Sequence, residues 1–285
     1  MRNKVFVLEA KNLREDLKKI LDTLLLKEKL KEMKKIVLKP NLTTNLPYPI
    51  TTDSFFVEIL VENLLRIFDK EIIIAEGSGG CDTKEAFEKL GYTKIAQKYN
   101  LKLIDLNRAE RIKLKNKKAL KLKEIFLPKI LFDSFLISLP VPKDHSSAVF
   151  TCSLKNMIGV YLSREYVKEY DKEKLEKLGV FVPKEIWQKG WNKGELHEIG
   201  LAQSIFDLNL YRKPDLTICD ARYGVRGGEL GGKTFKIGKI VASFDPVASD
   251  TYLASLFGYR WEEIEYLKLA NKKVGFAQDF QIEEF

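Results

Sequence analysis

Short runs of β-branched and aliphatic residues alternate along this chain with longer stretches whose apolar positions recur every three or four residues. Residues 4–10 have the strand pattern, and Leu17, Ile20, Leu21, Leu24 and Leu25 put one apolar face on a helix over 14–31. A second strand over 35–39 stops at Pro40, which has no N–H for a ladder. A proline-bearing loop over 41–52 leads to Asp53 or Ser54 as the N-cap of a helix reaching Phe68. Residues 71–76 read as a buried-type strand that runs into Gly77-Ser78-Gly79-Gly80, ahead of a helix over 83–90. Further strands are expected at 101–106 and 135–139. Between them, 111–122 alternates apolar and basic residues about a turn at 116–118, which predicts a β-hairpin.

Residues 163–194 are charged and aromatic and read as an insertion or lid, followed by a helix over 195–208. Strands at 216–219 and 240–243 end at Asp220 and Asp245, and helices over 246–257 and 262–270 close the pattern. Strands spaced by helices predict an α/β fold, a mostly parallel sheet flanked by helices, with a small β-hairpin and a helical insertion. The length leaves room for two lobes. No repeat and no linker-like stretch divides the chain, so residues 1–285 are read as one domain.

Composition narrows the class without choosing a function. With 45% apolar and 31% charged residues, the chain is globular in type. The longest apolar runs, 55–68 and 125–139, are interrupted by Glu58, Glu62, Lys129 and Asp133, so no membrane span is expected. No secretory signal is visible. Cys81, Cys152 and Cys219 lie far apart, which suits a reducing, cytoplasmic setting and leaves no self-contained iron–sulfur cluster. A net charge of +9 suits an anionic partner. The Lys- and Glu-rich, Met- and His-poor balance is one met in heat-adapted proteins.

In an open α/β sheet, ligands sit beyond the carboxyl ends of the strands, and polar groups gather there in this sequence. Lys39 and Asn41 follow one strand; Gly77, Ser78 and Gly79 follow the next; Lys143 and His145 follow a third. Asp220 and Asp245 follow two more. Ser153, Lys155 and Asn156 add a hydroxyl, a cation and an amide. The glycine run either presents N–H groups to an anion or makes only a tight turn, and it is not a Walker loop. A lysine among strand ends grips an anion or, when desolvated, acts as base or nucleophile, although most lysines in so basic a chain are solvated. His145 and His197 are the only histidines. A histidine serves as proton shuttle, metal ligand or hydrogen-bonded structural group. Asp250 orients a lysine or caps its helix. The run Arg226-Gly227-Gly228-Glu229-Leu230-Gly231-Gly232 is a loop suited to closing over a ligand, or a hairpin turn.

Seven segments in order resemble the domain of unknown function 362 family and spread over almost the whole chain. They are Lys39-Pro40-Asn41-Leu42, Thr51-Thr52-Asp53, the stretch 76–80, Pro142-Lys143-Asp144-His145, and the stretches 151–159, 214–221 and 243–250. Some members are fused to ferredoxin-type iron–sulfur segments, which implies a ferredoxin-like partner; three cysteines cannot hold that cluster alone. Members also tend to carry a histidine where His197 stands. The family is similar to the catalytic domain of nickel-pincer lactate racemases, which implies an enzyme.

The leading expectation is an enzyme acting on a small anionic molecule, bearing phosphate or carboxylate. His145, Lys143 and Lys155 are its expected catalytic groups, with His145 transferring a proton. Lys39, Asn41, Gly77, Ser78, Gly79, Ser153 and Asn156 are expected to bind substrate, supported by Asp220, Asp245 and His197. The alternative is an accessory redox or metal-handling protein, for which a divalent metal is the expected cofactor. Nucleic-acid binding is suggested by Arg108, Arg111, Lys113, Lys115, Lys117, Lys118, Lys121 and Lys123. The apolar residues alternating with them, and the lack of interleaved aromatics, speak against it.

Overall fold

The structure, a computed structural model, describes residues 3–162 and 193–285. The insertion expected over 163–194 lies, but for its last two residues, outside the described residues. The first half of the chain runs β1 (Lys4–Glu9), α1 (Leu13–Thr23), α2 (Leu26–Leu30), β2 (Lys35–Pro40), α3 (Ser54–Leu64), β3 (Glu71–Glu76), α4 (Thr83–Lys89), α5 (Tyr92–Tyr99) and β4 (Lys102–Asp105). A hairpin of β5 (Arg111–Lys115) and β6 (Glu124–Pro128) precedes β7 (Phe135–Leu139), β8 (Lys143–His145), β9 (Val149–Thr151) and the helical turn α6 (Ser153–Asn156). The remainder is α7 (Glu195–Tyr211), β10 (Leu216–Arg226), β11 (Lys233–Ser243), α8 (Pro246–Leu256), α9 (Glu265–Ala270) and β12 (Gln281–Glu284).

The main sheet has the order β12-β1-β11-β10-β7-β2-β3-β4. Pairings between β10, β7, β2, β3 and β4 are parallel, as is β1 with β12. Along this order of described strands only β11 runs the other way, antiparallel to both β1 and β10. The fold is therefore α/β with a mostly parallel sheet flanked by helices.

Side chains alternate across a strand, and here both faces are covered. Val5, Val37, Ile73, Leu136, Cys219 and Val241 pack on the face of α6 to α9. Their neighbours Phe6, Leu8, Ile36, Leu38, Ile72, Ile74, Ile137, Ile218 and Ala242 pack on the face of α1 to α5. Two-sided burial is why these strands read as continuous apolar runs.

Four local departures from the pattern bear on the surroundings of the strand ends. The helix expected over 14–31 divides at Leu25, whose φ of 50° is left-handed. The segment after β7 forms the small β8–β9 hairpin, and β8 pairs with β10 at Val225↔Lys143. Strands β10 and β11 are eleven residues each, well beyond the four expected for each, and so project a ribbon past the sheet edge. The helix α7 bends at Gly200, with a φ of 116°.

Of the eight basic residues that suggested nucleic-acid binding, Arg108, Arg111, Lys113 and Lys115 have internal partners. Arg111 is buried and donates to the carbonyl oxygens of Leu106, Phe126 and Val160. Arg108 pairs with Asp82 and Asp105, and Lys113 and Lys115 both reach Glu124. Among the described residues no helix is long and apolar enough to cross a membrane.

The β5–β6 hairpin is tied to α7 by one carboxylate. The buried Asp207 accepts from the N–H groups of Leu120, Lys121 and Leu122 at 2.7, 2.7 and 2.8 Å. Bonds to a charged acceptor count for more than neutral ones, so Asp207→Ala should cost about 3 kcal/mol or more. Urea denaturation checks this; a loss under about 0.5 kcal/mol contradicts the anchoring role.

Candidate functional site

Residues following β2 and β3, the β8–β9 hairpin, α6, the start of α7 and the tip of the β10–β11 ribbon line a cavity of about 230 Å³. Beneath it lies a buried ion pair. Lys39 Nζ donates to both carboxylate oxygens of Glu76 at 2.8 Å and to Asn156 Oδ1 at 3.2 Å. Glu76 also accepts from the N–H groups of Gly77 and Leu42, at 2.7 and 3.3 Å. A buried pair is tolerable only when its remaining hydrogen-bonding capacity is met, and these contacts meet it. Gly159 covers the pair closely, because a Cβ there would run into the Glu76 carboxylate and the Lys39 ammonium.

From the pair a hydrogen-bond chain reaches the cavity wall. Asn156 Oδ1 accepts also from Asn41 Nδ2 at 3.3 Å, while its Nδ2 donates to the Lys39 carbonyl oxygen and to the Ser138 hydroxyl. Asn41 Oδ1 in turn accepts from Lys143 Nζ at 3.0 Å, and Lys143 donates to the Ile50 carbonyl oxygen at 2.6 Å. One cavity lysine is thus aimed through two amides.

A second is aimed by α6. The buried carboxylate of Asp250, on α8, accepts from the N–H groups of Ser153 and Leu154 at 2.8 and 3.0 Å. Those are the donors that a helix start leaves unsatisfied. Burial pushes Asp250 up to about 7, against the pull of these two donors. Asp250 therefore caps a neighbouring turn, the one carrying Lys155 and Asn156, instead of its own helix.

The cationic wall is strongly desolvated. Burial brings Lys143 down to about 7, with the Lys155 charge lowering it further. It brings Lys155 down to about 8, and Lys193 to about 7. Lys193 donates to the carbonyl oxygens of Gly77 and Gly159. Lys155 makes no hydrogen bond or ion pair with the described residues.

His145 is held in one tautomer. Its Nδ1 accepts from the N–H groups of Ser147 and Ala148 at 3.1 and 3.2 Å, so the ring proton sits on Nε2. Nε2 stands 3.2 Å from Glu229 Oε1. A second proton on Nδ1 would face two N–H donors, and burial followed by the Lys155 charge lowers this histidine to about 4. This arrangement favours the neutral ring and presents its Nε2–H to the cavity. The turn that supplies those N–H groups holds Val149 at a φ of 64°, a strained value for a β-branched residue. His197 stacks on His145 with ring centroids 5.7 Å apart. It is exposed, and burial and the Lys155 charge shift it downward.

Of the residues expected to form the site, Asn41, Gly77, Gly79, Lys143, His145, Lys155, Asn156 and His197 line this cavity. Others do not. Lys39 lies below the wall with its donors engaged by Glu76 and Asn156. Asn156 is on the wall, but its amide is spent on the framework. Ser153 is buried, with its hydroxyl 2.6 Å from that of Thr217. In the glycine run the N–H groups of Gly77, Ser78 and Gly80 go to Glu76, Thr83 and Thr43. Asp220 is engaged by Tyr48 and Arg222. Asp245 caps α8 at the other end of the sheet, because β11 runs antiparallel to its neighbours. Among the described residues no group of three His, Cys, Asp or Glu side chains is arranged to hold a metal ion.

Gly159 and Lys193 were not expected as site residues, while Glu76 and Glu229 lie in stretches expected to border the site, without a role of their own. A carboxylate ending an otherwise apolar buried strand was a legible signal for Glu76. Nothing local marks Gly159 or Lys193, which reach the site only through tertiary packing.

A family model described as domain of unknown function (DUF362) matches residues 36–255. No curated protein matches the chain significantly. Among solved structures, the lactate racemase apoprotein from Thermoanaerobacterium thermosaccharolyticum is similar, with a TM-score of 0.47 and 11% identity. The match covers 88% of this chain and 56% of that one, so the chain spans little more than half the length of that protein.

This geometry has two measurable consequences. Glu76→Ala strands a buried lysine and should cost about 4 kcal/mol by urea denaturation; a cost below about 1 kcal/mol contradicts the buried pair. Lys155 releases its proton near 8 when folded and near 10 when unfolded. Its charge therefore opposes folding fully below about pH 8, and the penalty fades as pH rises towards 10. Lys155→Met should gain on wild type most below pH 8, with the difference narrowing towards pH 10. A difference that widens with pH contradicts the assignment.

Proposed function

The chain belongs to the domain of unknown function 362 family, and from that premise we propose that it is an enzyme whose cavity takes a small carboxylate- or phosphate-bearing substrate. One observation carries the reading. Lys155 shares the cavity with Lys143, both are desolvated, and Lys155 meets no acceptor among the described residues. Two desolvated cations oppose each other until an anion lies between them, and in so shielded a place the attraction is large.

Lys143 and Lys155 neutralise the anion, with Asn41 and Asn156 positioning Lys143. The Nε2–H of His145 polarises an oxygen of the substrate without reorganising during reaction. His197, exposed on the same wall, gives or takes a proton.

A panel of small carboxylates and phosphates at pH 6.5 tests the reading by thermal shift. At 100 times its Kd a ligand stabilises by about 2.7 kcal/mol, a rise of a few degrees. At least one should raise the melting temperature of wild type, and Lys155→Ala should abolish that rise. No response in wild type, or an equal response in Lys155→Ala, contradicts it.

A further inference from the structure

The ribbon of β10 and β11 ends in a loop that places a carboxylate into this cationic cavity. Glu229 Oε1 stands 3.2 Å from His145 Nε2, and Glu229 and Leu230 are part of the cavity wall. The same carboxylate acts electrostatically on Lys143, Lys155, His145 and His197, and raises the proton affinity of each. For Lys155 it is the one charge that does so. Glu76, the other carboxylate on the wall, is occupied by Lys39 and two N–H groups.

The loop that carries Glu229 turns on glycines. Gly227 and Gly228 have φ values of 85° and 133°, conformations that glycine alone adopts easily, and a Cβ at either would meet nothing within 4 Å. The base of the loop is held, since the Gly227 N–H donates to Asp144 Oδ2 at 2.8 Å and the Gly232 N–H donates to the Gly228 carbonyl oxygen. The Glu229 side chain is 26% exposed and makes no other hydrogen bond or ion pair among the described residues. It is a tethered anion with one contact to give up.

We infer that Glu229 is an internal stand-in for the ligand: its carboxylate occupies the place of the substrate's own carboxylate and leaves when the substrate binds. This rests on the proposed anion binding and adds the ligand class and the exchange. A carboxylate from solution accepts the same His145 Nε2–H and enters the same field of Lys143 and Lys155. Because His145 is a fixed donor, it accepts no proton in the exchange. The groups facing Glu229 are Lys143 on β8, His145 at its end, Lys155 on α6 and His197 on α7. Two anions competing for one donor repel one another, so Glu229 weakens binding for as long as it stays in place.

The test measures binding of acetate, malonate and inorganic phosphate to wild type, Glu229→Ala and Glu229→Gln by calorimetry at pH 6.5. The fold of each variant is checked by circular dichroism. Glu229→Ala should bind acetate or malonate at least tenfold tighter than wild type, and Glu229→Gln should fall between. In ¹⁵N spectra, His145 should keep its proton on Nε2 with and without the carboxylate. Equal or weaker carboxylate binding by Glu229→Ala overturns the inference, while wild-type binding lost in Lys155→Ala leaves the anion-binding reading standing. A gain confined to phosphate overturns the ligand class. No binding by any of the three proteins overturns the inference together with the reading on which it rests.

Discussion

The buried pair of Lys39 and Glu76 is the constraint on which the site depends. Two opposite charges at neighbouring strand ends, shut away from water, must satisfy their full hydrogen-bonding capacity inside the protein. The lysine recruits Asn156, Asn156 recruits Asn41, and Asn41 holds Lys143. The glutamate fixes the first N–H of the glycine turn and requires Gly159 as its cover. Cavity floor, one cavity cation and the path of the loop after β3 are all set by this pair. Its net contribution to stability is modest, because desolvation offsets most of the attraction. What it contributes is geometry.

A second constraint works through the sheet. Because β8 joins β10 near the ribbon's tip, the same strand that pairs with Lys143 also carries the loop bearing Glu229. The β8–β9 turn then uses its own N–H groups to lock the ring of His145. Asp250 sets the third wall by capping α6 from α8. Each cavity group is therefore held by a partner outside the cavity, as preorganised polar sites are.

Much of the fold was legible in the residue pattern, and the reason is two-sided burial. Continuous apolar runs at β2, β3 and β7, each bounded by polar or proline residues, mark strands with helices on both faces. The direction of β11 was not legible, since pattern alone carries no strand polarity. That single reversal is why Asp245 sits at the far end of the sheet. The site was legible in position more than in role. Lys143, His145 and Lys155 do line one cavity, but only hydrogen-bond partners reveal that Lys39 and Asn156 are framework, that three of the four N–H groups of the glycine turn are engaged internally and that Nδ1 of His145 is an acceptor. Lys193 and Gly159 had no local signal at all.

The central claim is that an anion completes a cavity whose lysines are held partly deprotonated by burial. Calorimetric titration of the Glu229→Ala protein, which has no carboxylate at the loop tip for the anion to displace, at pH 7.5 in two buffers of different ionisation enthalpy, tests it most directly. Binding should draw protons from the buffer, because burial holds Lys143 and Lys155 low and an anion beside them raises both with no departing carboxylate to offset it. The uptake should shrink as the pH falls and both lysines come to hold their protons before the anion arrives. Binding with no proton uptake at pH 7.5, or with proton release, would contradict the account.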